Sequence, residues 1–92
     1  VIDRAFMESA PQGEIITDYD IAHLRTYLRL LDAYADESAT WQEAVQIIFG
    51  IDPAVECLRA RRLYEGHLAR ALWMSETGYR QLAAFEQLKW KH

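Results

Sequence analysis

The stretch RARRLYEGHLARALWM, residues Arg59–Met74, carries four arginines and a single glutamate. An arginine guanidinium is a planar fork of donors that matches phosphate and the guanine edge, so a helix displaying several is equipped to hold nucleic acid. At the helical repeat, Arg59, Arg62, Gly66, Arg70 and Trp73 share one side, with Ala69 beside them. Ala60, Leu63, Tyr64, His67, Leu68, Ala71 and Met74 share the other, which is the core face. The expectation is an exposed, DNA-facing stripe of three arginines around a glycine, with a tryptophan at one end. Glycine inside a helix costs about 1 kcal/mol relative to alanine, so Gly66 requires a structural reason. A solvated basic face, with Glu65 paired to Arg61 or Arg62, accounts for the same residues. Periodicity does not separate the two.

Other reactive residue types form no constellation. His23, Cys57 and His67 lack metal-ligand spacing, and His67 falls on the apolar arc, where a satisfied core histidine is expected. Cys57 reads as a small buried residue, since no histidine is placed to activate it. Neither a glycine-rich phosphate loop nor a paired-carboxylate site is visible, so the expectation is a non-enzyme without metal or cofactor. Trp41 reads as a core or helix-start anchor. Trp73 and Trp90 fit an interface better, because tryptophan outside a core tends to mark binding; an N-terminal arm lying over Trp73 is the other reading.

These side chains need helices to place them. Residues 1–16 read as an irregular N-terminal arm, with a turn at Ala10–Gly13, and residues 17–92 as one helical domain. Thr17 or Asp18 caps a first helix from Tyr19 to Asp36. Its apolar face is Ile21, Leu24, Leu28, Leu31 and Ala35, widened by Tyr27 and Tyr34, with Arg25, Arg29, Asp32 and Asp36 opposite. Thr40 and Glu43 form a capping-box pattern for a second helix, Trp41–Phe49, which Gly50 stops. Ala44, Val45, Ile48 and Phe49 are its core residues. Asp52-Pro53 opens either one long helix or a turn followed by a helix from Leu58, ending at Gly78. Tyr79–Trp90 is the last helix. The fold class is all-α: four helices in helix-turn-helix order behind an irregular arm.

The chain of 92 residues has composition for one globular domain and a formal net charge of −4. Residues 1–56 hold eleven acids against three arginines, a net of −8, and residues 57–92 a net of +4. Such asymmetry suggests an electrostatic face or a pairing of the two halves. With one cysteine, no apolar run of membrane-spanning length and no visible signal peptide, a cytoplasmic protein is expected.

The segments YDIAHLRTYLRLLDAYADESATWQEAVQIIFGIDP and RARRLYEGHLARALWMSETGYRQL resemble a family of small proteobacterial domains carried on integrative and conjugative elements. The marks are Tyr19-Asp20, the LRLLDA of the first helix, Trp41, Gly50-Ile51-Asp52-Pro53, HLARALWM and Gly78-Tyr79-Arg80. The resemblance covers about Thr17 to Leu82. It implies a helix-turn-helix variant with an extended turn, here Ile51–Cys57. In two-domain activators of the FseA type, one side of this domain binds DNA and the opposite side docks on the activator's N-terminal domain. Stand-alone acidic members, the QseM-like antiactivators, occupy that N-terminal domain and block transcription of transfer genes.

The resemblance therefore implies a monomeric antiactivator in conjugative transfer and quorum sensing. Its partner would be an FseA-type activator or a LuxR-type quorum-sensing regulator, with neither DNA nor membrane bound. The docking candidates are Tyr27, Tyr34, Tyr79, Arg80 and Trp90, of which Tyr79 is expected to turn out core. The alternative is a DNA-binding helix-turn-helix regulator that uses Arg59, Arg62 and Arg70.

Overall fold

The computed structural model describes residue 6 and residues 9–82. Those residues form an all-α domain. Helix α1 spans Asp18–Ala22 and α2 spans Leu24–Ala35. Helix α3, Trp41–Ala44, runs on into a wide π turn over Val45–Phe49. Helix α4, Cys57–Trp73, runs into a second π turn, Met74–Gly78, and residues 79–82 are helical again.

The expected first helix is two helices. Thr17 caps α1 through a capping box in which its hydroxyl accepts from the Asp20 amide and the Asp20 carboxylate accepts from the Thr17 amide. The break falls at His23, whose φ of −116° and ψ of 24° leave the helical region. There the His23 ring Nδ1–H donates to the Tyr19 carbonyl at 2.9 Å, which also accepts from the His23 amide at 3.1 Å. The buried face of α2 differs from the expected one. Tyr27 and Leu30 are its buried residues, while Leu28, expected inside, is 63% exposed and Ala35 is exposed too.

Thr40 and Glu43 cap α3 as expected, and Gly50, at φ 70°, stops the π turn in the left-handed region that glycine adopts without strain. Asp52-Pro53 opens a turn, not a long helix. Asp52 accepts from the Ala54 amide with its side chain, and from those of Val55 and Glu56 with its carbonyl. The long helix then starts at Cys57, which is exposed rather than buried.

Helix α4 packs along α2 and carries the core on the face expected of it. Towards its start, Ala60 and Leu63 join Val45 and Ile51 in one cluster, which Trp41, Phe49 and Tyr64 flank. Towards its end, Ala71 and Met74 join Ile16 and Tyr27 in another, flanked by Ile21, Leu24, Leu31, Trp73 and Leu82. His67 sits between them, fully buried.

Gly78 does not end the helix. Among the described residues only Gly13 and Gly50 have positive φ, and helical structure continues past Gly78. A Cβ added there would lie 2.8 Å from Cε3 and Cη2 of Trp73 and closer still to Cζ3, so glycine is what admits the indole.

Candidate functional site

The DNA-facing stripe is not continuous. Arg59 and Arg62 are exposed, but Arg70 is 4% exposed and turned inward. Its Nε donates to Oδ1 of Asp20 at 3.0 Å and its Nη2 to Oδ2 at 2.8 Å, a bidentate pair with both side chains buried. Two further bonds run from Nη1 to the Gly13 carbonyl and from Nη2 to the Ile15 carbonyl. Gln81 completes the clamp, donating to the Glu14 carbonyl at 2.6 Å and accepting from the Ile16 amide at 2.7 Å. Four successive arm residues are thus tied down through their main chain, and Ile16 enters the core behind them.

The arm consequently lies over the side of α4 that was expected to face solvent. Ser9–Gly13 and the α4 residues Gly66, Ala69, Arg70 and Trp73 enclose an open cavity of about 350 Å³. Ala10 is buried there, and a Cβ at Gly66 would meet its amide nitrogen at 3.7 Å, ordinary contact. Trp73 is a wedge between chain segments rather than a free anchor: the Arg70 guanidinium carbon is 4.0 Å from its ring centroid, and Gly78 also abuts the ring. Of the three arginines of the stripe only Arg59 and Arg62 are exposed, and Arg59 donates to Glu56 at 3.0 Å. Arg61 pairs with Glu65 at 2.8 Å, the expected solvated ion pair, and covers the Trp41 ring.

Asp20 is the hub. Besides Arg70 it accepts from the Tyr27 hydroxyl at 2.6 Å and from the amide and hydroxyl of Thr17. Burial alone would raise its pKa, but the bonds from Arg70, Tyr27 and Thr17 outweigh that and hold the carboxyl below the ordinary carboxylate range. Burial and the Asp20 carboxylate push the Tyr27 phenol strongly upward, so it remains a donor. Sequence reasoning missed this centre. The T-x-x-D spacing of Thr17 and Asp20 signals a cap, but nothing local marks the carboxylate as buried opposite an arginine fifty residues on.

His67 meets its expectation. Nδ1–H donates to the Leu63 carbonyl at 2.9 Å, and Nε2 accepts from the Tyr19 hydroxyl at 2.6 Å. Burial depresses its pKa; the Leu63 carbonyl opposes the shift, and neighbouring His23 adds to it. Phe6, Tyr19 and Phe49 surround the ring. Among the described residues no group of three His, Cys, Asp or Glu could hold a metal ion.

The docking candidates divide. Tyr27 is core, 2% exposed and bonded to Asp20, so it is not available for docking. Tyr34 is 59% exposed. Tyr79, expected in the core, is 51% exposed, and the exposed Arg80 reaches over its ring. Trp90 lies outside the described residues. Tyr79 forms one wall of an apolar groove of about 260 Å³ with Met74 and Leu82; Leu24, Leu28 and Leu31 of α2 form the other. Among the described residues no helix is long and apolar enough to cross a membrane. No protein-family model matches the chain, and no curated protein is significantly similar to it.

Proposed function

We propose that this chain is a QseM-like antiactivator that represses conjugative transfer by binding a transcriptional activator's N-terminal domain, without holding DNA itself. The observation that carries this reading is the withdrawal of Arg70 to Asp20 beneath the arm. DNA affinity rests on phosphate neutralisation summed over a surface. Here the side of α4 that would supply it is interrupted in the middle, in a chain of net charge −4. The apolar groove between α2 and residues 79–82 offers what protein docking needs instead: exposed leucine and tyrosine around a concave floor.

The test pairs two measurements on the full chain. In a gel shift with its element's own promoters, low micromolar protein should give no discrete duplex complex near physiological salt. An FseA-type activator's N-terminal domain should co-elute with it in gel filtration. A discrete, salt-sensitive, sequence-specific complex would replace this reading with that of a DNA-binding regulator that uses Arg59 and Arg62.

A further inference from the structure

The outer face of α2 carries Arg25, Arg29, Asp32 and Asp36, all exposed, with Asp36 as the helix C-cap. For a helix standing alone this order is unfavourable twice over. Arginines near the N-terminus and aspartates at the C-terminus oppose the helix dipole. Arg25 with Arg29 and Asp32 with Asp36 are also like-charge neighbours at i,i+4. Arg25, Arg29 and Asp32 form no ion pair among the described residues, while Oδ1 of Asp36 accepts from the Ser38 amide and hydroxyl. Arg25 and Arg29 are the two basic residues between Ser9 and Glu56.

Both penalties reverse if a second α2 lies antiparallel against the first. The positions are symmetric about the point between Leu30 and Leu31: Arg29 mirrors Asp32, and Arg25 mirrors Asp36. A two-fold axis there sets each arginine opposite an aspartate of the other copy, four pairs in all, and opposes the helix dipoles. Symmetric self-association needs a patch complementary to itself, and this one is. Apolar surface flanks it on both sides. Leu28, 63% exposed, lines the groove shared with Leu31 and Tyr79. Ile47, 69% exposed, lines a second groove of about 290 Å³ with Ala33, Ala39 and Ala44.

We propose that the outer face of α2 is a homodimer interface, in which two copies pair antiparallel through Arg25–Asp36 and Arg29–Asp32 contacts around Leu28. The inference stands apart from the antiactivator reading. Because Leu28 is also a wall of the docking groove, the paired form has that wall occupied.

Sedimentation equilibrium of the full chain, from low micromolar to near-millimolar concentration and at low and high salt, tests it. The expected result is a monomer–dimer equilibrium weakened by salt. Arg29→Asp and Asp32→Arg each set like charges across the axis and should weaken the dimer at least about tenfold, as should Leu28→Asp. Mixing the Arg29→Asp and Asp32→Arg chains restores both central pairs in a heterodimer, so the mixture should associate where each alone does not. All three positions are exposed, and circular dichroism checks that the variants fold. A wild-type chain that stays monomeric throughout overturns the proposal. So does a dimer indifferent to the single reversals, or a mixture that fails to associate.

Discussion

Arg70 and Asp20, fifty residues apart, close on each other through two hydrogen bonds of 3.0 and 2.8 Å with both side chains buried. One pair therefore joins the acidic half of the chain to the basic half, and through Gly13 and Ile15 it fastens the arm as well. Removing either partner leaves the other buried and uncompensated. Arg70→Ala and Asp20→Asn should each destabilise the fold by about 3–5 kcal/mol, measured by urea denaturation. Arg62→Ala, on the exposed side of the same helix, should change stability by less than about 0.5 kcal/mol.

His67 sets a pH dependence. Its folded pKa is depressed by burial below the ordinary value of 6.5 that it regains on unfolding. Its stabilising effect is therefore complete above about pH 6.5 and is lost progressively as the pH falls from there towards the folded pKa. The melting temperature should decline across that window, and His67→Gln should flatten the slope while lowering stability at neutral pH. Asp20, depressed below its ordinary 3.8, stabilises above that value and fails only in stronger acid, so the two effects separate on the pH axis.

Two helical glycines should respond oppositely to alanine. At Gly66 the added Cβ makes ordinary contact with Ala10, so the propensity gain of up to about 1 kcal/mol is kept and the melting temperature rises. At Gly78 the Cβ meets the Trp73 ring, which also packs against the Arg70 guanidinium, so Gly78→Ala should destabilise by about 1–3 kcal/mol, an overpacking cost. Thermal melts of both variants decide it; a stabilised Gly78→Ala would mean that the indole moves aside freely.

The docking candidates separate by the property each disturbs. Tyr27→Phe leaves Asp20 one donor short in a buried site and should cost about 1–3 kcal/mol of stability, with activator affinity kept wherever the fold holds. Tyr79→Ala, at the wall of the groove, should leave stability within about 0.5 kcal/mol and weaken binding of the activator's N-terminal domain about 30-fold, the loss typical of an interface hot spot. Calorimetric titration beside denaturation curves reads both.

What the sequence reveals follows from the range of each signal. Periodicity and capping are local, and they locate the all-α class, the Thr40 and Gly50 boundaries and the buried arc of α4 with His67 at its centre. Leu28 was misplaced because the buried face of α2 centres on Tyr27 and Leu30 rather than on the residues at three- and four-residue steps from Leu24, and Tyr79 follows a π turn where a helix stop at Gly78 was expected. Arg70 was misplaced for another reason, whereas an arm over Trp73 was one of its two readings. A wheel shows which residues share a side but not what lies over that side, and the cover comes from an arm without periodicity of its own, held by main-chain bonds that no side-chain pattern encodes.

The central claim, that this chain acts on an activator and not on DNA, is tested most directly by transcription from an activator-dependent transfer promoter, with footprinting of the same template. The account predicts that adding the chain lowers activator-dependent transcription, leaves basal transcription unchanged and protects no DNA when present alone. A footprint produced by the chain alone, or repression that persists with the activator omitted, would contradict it.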